Sequence, residues 1–429
     1  MNTYIIVIVF SLVIILSYWF NLLAKKTRIP SVLLLIVLGI GLQYGIKEFY
    51  TGTLNLMPAL EILGIVGLIM IVLEAALDLE LKAEKWPIIW KSFLLALLIL
   101  GASAFFCAYV LQYLFFDDLF TSLVYAIPLS IMSSAIIIPS VGSLREDKKE
   151  FMIYESTFSD ILGIMFFYFL VGNDNASSSS EVIGNIGINI SVTILLAIVV
   201  SYGLILLFQN IKTEVKLFLL ISVLVLLYSI GKLFHLSSLL IILVFGLILN
   251  NHKLFFKGFL KQYLRVDKVH EILEDFHMVT MESAFVVRTF FFVIFGMTIE
   301  LGVLLDFKVA LTGMLITTGF FVIRYLFFKI IMRKNIFPEW TISPRGLITI
   351  LLFFAIPLKY QQDNFDPGIL LYVIIISSLV MTYTLIQQGK IDDASNEKLG
   401  ADEINSDPTT ETSIDNMDLP KVEQTDLQA

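Results

Sequence analysis

The chain has 429 residues, 58% of them hydrophobic and 15% charged, with a mean hydropathy of +0.88. Soluble domains carry roughly 25% charged residues, so a soluble globular protein is excluded, and no feature points to nucleic acid. The net charge of −8 resides in the last residues: from Lys390 onward there are eleven acidic and three basic side chains, and the rest of the chain is neutral.

Apolar runs near the ~20 residues that a helix needs to cross a bilayer recur along the whole chain, which reads as an all-α polytopic membrane protein. The first occupies residues 4–24, and its charges (Lys25, Lys26, Arg28) follow the run rather than precede it. That order predicts a retained first span with its N-terminus outside, not a cleaved signal peptide. Twelve more spans follow, at 31–49, 58–79, 87–115, 119–143, 149–172, 182–209, 214–232, 235–250, 279–301, 308–332, 342–358 and 366–388. With this count, nineteen basic residues fall in the loops of one side, against Lys47, Lys232, Lys308 and Lys359 on the other. The asymmetry obeys the positive-inside rule and predicts a cytoplasmic C-terminus in a cell membrane.

Two segments are not read as spans. Residues 251–278 place Lys253, Lys257, Lys261 and Arg265 at four-residue spacing, with Phe255, Phe259, Val266, Leu273 and Phe276 among them. This pattern predicts an amphipathic helix lying on the cytoplasmic face of the bilayer, with a plain basic connector as the alternative. The acidic stretch 389–429 has almost no aromatic residues and predicts a disordered cytoplasmic tail. The single cysteine, Cys107, lies in an apolar run and reads as packing; one cysteine permits no internal disulfide.

The sixth span is the most unusual. It contains Glu155-Ser156-Thr157-Phe158-Ser159-Asp160, followed by Ile161, Leu162, Ile164, Met165, Phe166 and Phe167, with no basic residue beside Asp160 on its helix. An ionisable group at that depth costs at least ~2.5–3.5 kcal/mol and marks a functional site by default. A five-residue step turns Glu155 away from Asp160 by well over a quarter-turn, so the two carboxylates need different partners. Arg324, inside the eleventh span, reads as the charge that neutralises Glu155, with snorkelling to the inner surface as the alternative. No nucleotide loop, zinc motif or catalytic triad is seen, so no motif points to an enzyme or to a cofactor. His235, His252, His270 and His277 have no metal-ligand spacing, and the last three fall in the interfacial segment, where a pH-sensing role is open. Glu61, Arg288 and Lys232 read as interface residues at span ends.

Five patterns stand in order along the chain. Ile29-Pro30 leads into a span ending Gly39-Ile40-Gly41, and the third span closes Leu73-Glu74-Ala75-Ala76-Leu77-Asp78-Leu79. The fifth holds Ser130-Ile131-Met132-Ser133-Ser134 and Pro139, the sixth the Glu-Ser-x-x-Ser-Asp run, and the twelfth opens Pro344-Arg345-Gly346. Together they resemble the monovalent cation/proton antiporter superfamily, the sodium/proton exchangers and their bacterial relatives, over roughly residues 1–388. The resemblance implies inverted repeats (spans 1–6 and 8–13, span 7 connecting) with two unwound crossing helices. It further implies a scaffold of spans 1–3 and 7–10, a moving core of spans 4–6 and 11–13, and a homodimer in the lipid bilayer.

By the same resemblance Asp160 is the essential aspartate, and Ser159 stands where the family has Asn or Asp. Glu155 and Arg324 are a structural ion pair, and Arg345 is the arginine of the second unwound helix, a countercharge for the helix ends that meet there. Ser133 and Ser134 fall in the first unwound helix. Many sodium exchangers carry Thr-Asp-Pro there; the Ser-Ser-Ala of this chain is closer to the potassium-efflux branch. Serine hydroxyls at 133, 134, 156 or 159 would complete an oxygen shell around a monovalent cation (Na⁺, K⁺ or Li⁺) on Asp160. Glu74 and Asp78 lie near the cytoplasmic end and are read either as an entrance funnel or as a solvated face. A carboxylate that holds either a proton or a hard cation couples the two fluxes, and a single such aspartate implies electroneutral exchange. A potassium/proton antiporter, a non-transporting sensor or scaffold, and a channel are the alternatives.

Overall fold

The structure, a computed structural model, describes residues 3–405 apart from residues 28, 50–56, 173–178, 211–215, 234–237, 257–264, 300–301, 303–304, 334–335 and 363. Among the described residues there is no β-strand. Fifteen α-helices follow in order: α1 Thr3–Thr27, α2 Ser31–Phe49, α3 Met57–Asp78, α4 Trp86–Leu114, α5 Leu119–Ser130, α6 Ser134–Ser140, α7 Glu146–Gly172, α8 Ser179–Phe208, α9 Lys216–Leu233, α10 Ser238–Asn250, α11 His252–Phe255, α12 Val266–Thr298, α13 Phe307–Ile331, α14 Leu347–Phe354 and α15 Gly368–Asn405. Nine spans built from them are long and apolar enough to cross a membrane, and the apolar stretches Ser31–Ile46, Leu217–Gly231 and Ser238–Asn250 are shorter. Each of the thirteen runs read from the sequence coincides with helix, and two of those runs are broken.

Local chemistry explains the starts of these helices. Pro87 occupies the first turn of α4, where its missing N–H costs nothing. Asp118 caps α5 by accepting from Thr121 N at 2.7 Å, and Asp306 caps α13 by accepting from Lys308 N at 2.7 Å.

Two departures from the sequence reading concern helix ends. The segment 251–278 is not one interfacial helix. The short α11 is followed by residues outside the description, which include Lys257, Phe259 and Lys261. From Val266 a single helix, α12, then runs without interruption to Thr298. No proline or glycine lies between Val266 and Phe295, so nothing separates a surface segment from the span. Val269 and Phe276 are buried against protein. At the C-terminus, α15 continues to Asn405, past residue 389 where the disordered tail was expected. No proline occurs between Gly368 and Pro408, so a helix seeded in the span propagates. Residues 406–429 of that tail lie outside the described residues. The chain divides into two compact units, Met1–Leu385 and Ile386–Ala429, and the site lies wholly in the first.

Within that unit, α4 packs against α5, α7 and α13, whereas α12 packs against α2 and α3, and α10 against α3 and α8. The two breaks lie in the fifth span, between α5 and α6, and in the twelfth, before α14. These are equivalent places in the two six-span halves. Because the halves are offset by an odd number of spans, they are inverted relative to each other. Ile131 and Ser133 are extended (ψ 132° and 108°), so the helix stops at Ser130 and restarts at Ser134. The breaks meet: Ser133 N donates to Pro344 O at 2.9 Å. Two glycines allow this approach. A Cβ on Gly163 of α7 would lie 2.2 Å from Ile131 Cγ1, and one on Gly346 would lie 2.9 Å from Ser133 Oγ.

Candidate cation site at the crossing of two broken helices

Asp160 is buried on α7 where that helix passes the first break. Breaking a helix frees backbone groups that a continuous helix would pair internally, and α7 answers them. Ser134 N donates to Asp160 Oδ2 at 3.1 Å, and Met132 N donates to Ser159 Oγ at 3.0 Å. Asp160 Oδ1 is buried with no hydrogen-bond partner, as is Ser133 Oγ. Thr157 Oγ1 on α7 and Thr349 Oγ1 on α14 are likewise buried and unpartnered. Buried polar atoms are nearly always satisfied in native proteins, so oxygen atoms left open at one helix crossing are a place for a cation or a proton. The sequence reading did not single out either threonine. Ser156 does so here, donating to Ile153 O at 3.1 Å.

Arg345 answers the other end of the break. It donates through Nε to Leu129 O at 3.3 Å and through Nη2 to Ser130 O at 3.3 Å, the last carbonyls of α5. Its Nη1 bonds Ser343 O at 2.6 Å and also the Ser343 hydroxyl. The guanidinium lies over the Phe320 ring at 4.6 Å. No carboxylate is bonded to this buried cation; carbonyl dipoles hold it.

Glu155 points elsewhere, as the five-residue spacing requires. Arg324 grips it with two nitrogens, Nη1 to Oε1 at 2.6 Å and Nη2 to Oε2 at 2.7 Å. The side chains are 1% and 0% exposed. Arg324 also donates to Glu339 O, from Nη2 at 2.9 Å and from Nε at 3.3 Å. This planar fork closes α7, α13 and the turn preceding the second break into one unit.

A cavity of about 230 Å³ reaches this site, lined by Ser17, Glu74, Ser134, Ala135, Arg288 and Thr289 among others. Glu74 Oε1 lies 3.5 Å from Arg288 Nη2, and Arg288 Nη1 donates to Ala135 O at 3.3 Å. Arg288 is therefore not an interface residue at a span end. It sits in the middle of α12, in the cavity wall, because Glu74 and a carbonyl next to the break hold it there. Its position well inside an apolar run was the signal that could have found it. Asp78, one helical turn from Glu74, pairs with His277 Nε2 at 2.8 Å and does not line the cavity. His270 makes a surface pair with Glu274 at 3.4 Å, and His252 Nδ1 bonds Leu249 O at 3.0 Å. His235 and the side chains of Glu61 and Lys232 lie outside the described residues. Cys107 is free and buried. Among the described residues no group of His, Cys, Asp and Glu side chains could hold a metal in a resident site.

The profile of the family described as "Sodium/hydrogen exchanger, transmembrane" matches residues 9–387. The chain belongs to this family. Solved structures agree on the fold. The sodium proton antiporter MjNhaP1 from Methanocaldococcus jannaschii, determined at pH 8, matches with a TM-score of 0.63 and 20% identity, over 91% of this chain and 100% of that one. A three-dimensional electron-microscopy map of the same antiporter matches with a TM-score of 0.62 and 20% identity, over 93% and 98% of the two chains. No curated protein shows significant sequence similarity.

Proposed function

We propose that this exchanger family member moves protons against monovalent cations, sodium foremost, by alternating access at Asp160. One observation carries the reading: a buried carboxylate with one oxygen held by Ser134 N and the other unpartnered, at the meeting point of two helix breaks. A proton or a hard alkali ion satisfies that open oxygen, and each excludes the other. Ser133 Oγ and the carbonyls freed by the breaks supply further oxygen ligands, since irregular backbone at membrane depth is tolerated where it lines such a cavity. Ser159 and Ser134 stay engaged through Met132 N and through Asp160 itself, and Ser156 is set back on its own helix.

In this proposal α4–α7 and α13–α15 form the moving core, and α1–α3 with α8–α12 form the scaffold. A homodimer formed through the scaffold is part of the same reading, as are an outer N-terminus, a cytoplasmic C-terminus and a location in the cell membrane. The cavity walled by Glu74 and Arg288 is the cytoplasmic approach. Potassium is the second cation to test, because Ser134 stands where many sodium exchangers carry an aspartate.

The test is exchange in proteoliposomes with Na⁺, Li⁺ and K⁺ supplied separately across a range of pH. We expect proton release on addition of cation, with competition between the two. Glu155 stays ionised against Arg324 throughout the cycle, and Ser159 cannot hold a charge, so one proton should exchange for one cation. Transport should then neither create a membrane potential nor respond to a clamped one, although a full charge crossing 100 mV would be worth ~2.3 kcal/mol. A ratio of two protons per cation would refute the single-site mechanism and direct attention to Glu74 and Asp78. Conduction without competition would indicate a channel, and silence with every cation a sensor or scaffold.

A further inference from the structure

Lys148 contributes to the sequence pattern only as one of the basic loop residues, and Glu339 not at all. In the structure Lys148 Nζ lies 2.9 Å from Glu339 Oε2, and the two side chains are 16% and 5% exposed. The same ammonium donates to Phe337 O at 2.5 Å. Lys148 is on the first turn of α7, the helix that carries Asp160. Glu339 opens the single turn Glu339–Thr341, from which the chain enters the second break at Ile342. The Glu339 backbone oxygen shares Arg324 Nη2 with Glu155 Oε2. Four charged side chains thus form one neutral set, Lys148 with Glu339 and Arg324 with Glu155. This set ties α7 at two heights to the segment that leads into the break.

A fully exposed pair of this kind is worth little. A pair withdrawn from water is different, because removing Lys148 leaves the Glu339 carboxylate, 5% exposed, an uncompensated anion. The connection to the site is short and continuous. Glu339 leads to Pro344, whose carbonyl takes Ser133 N, and the next amide, Ser134 N, holds Asp160. A shift of Glu339 along α7 is therefore passed through Pro344 O and Ser133 to the amide that holds Asp160.

We propose that Lys148 and Glu339 are a positioning pair, which fixes the second break against α7 and so sets the affinity of the site for its cation. This rests on the antiport reading above. Two measurements on the full-length protein test it. In proteoliposomes, K148M and E339Q should raise the apparent KM for sodium about tenfold while the maximal rate stays within about twofold, the signature of lost binding rather than a slowed step. The charge swap K148E/E339K should bring KM most of the way back. If K148M does not fold, the double variant K148M/E339Q, which leaves neither charge unpaired, decides the matter through its own raised KM.

Trp340 supplies a second readout that needs no transport, since it lies beside Glu339 and packs on Tyr325 with ring centroids 5.2 Å apart. In a W19F/W86F/W90F background, K148M should shift Trp340 emission, and K148E/E339K should restore it. A fall in melting temperature with unchanged KM and unchanged Trp340 emission would make the pair structural only and overturn the proposal. Failure of the wild-type protein to exchange any cation would instead remove the antiport reading. The Trp340 arm then still reports whether the pair positions the turn.

Discussion

Asp160→Asn should reduce cation-driven proton movement to background while the protein remains folded. The amide keeps the volume of the carboxylate and an oxygen that can accept from Ser134 N, so the contact at 3.1 Å has a substitute and the fold loses little. What the variant lacks is a charge and a titratable proton. Its nitrogen or oxygen must fill the place of Oδ1, which in the native site is buried without a partner. Neither atom can alternate between a proton and an alkali ion. The measurement is exchange in proteoliposomes, paired with size-exclusion and thermal profiles that show the variant intact. Wild-type exchange rates in Asp160→Asn would end the mechanism.

The second large effect falls on stability. Glu155→Ala and Arg324→Ala should each cost roughly 3–5 kcal/mol, the penalty for leaving one member of a buried pair uncompensated. Both side chains are essentially inaccessible and joined by two hydrogen bonds of 2.6 and 2.7 Å. Arg324→Ala also strips the donors from Glu339 O, so it should be the worse of the two. The double replacement should recover part of the loss, since neither charge then remains alone; the coupling between the two sites is the quantity to extract. Thermal unfolding in detergent is the readout. Two singles as stable as wild type would mean that the pair is not what holds α7 to α13.

Much of this architecture was legible in the chain, and for physical reasons. A bilayer accepts only helices whose backbone is internally satisfied, so apolar run length located the helices, nine of which are long and apolar enough to cross among the described residues. Asp160 stood out because a carboxylate in an apolar run, with no basic residue beside it, is costly to bury. The partnership of Glu155 with Arg324 could be suspected because each is too costly to bury alone. Helix ends were less legible. α12 and α15 extend past the expected limits because propensity and the absence of proline carry a helix on after hydrophobicity ends. Arg288 was misassigned for a related reason: a charge in a span can snorkel to the surface or turn inward, and only the position of Glu74 chooses.

The sequence by itself determined the class of the protein and singled out Asp160 as a carboxylate deep in an apolar run. Those depend on composition and on one-dimensional spacing, which the bilayer converts directly into structure. Only the tertiary structure decided what the breaks in the fifth and twelfth spans face. Ser134 N reaches Asp160, Arg345 reaches the last carbonyls of α5, and Lys148 reaches Glu339. These contacts join residues far apart in the chain, and spacing carries no trace of them. They form because backbone groups freed inside a membrane must find partners, and packing brings those partners from other helices.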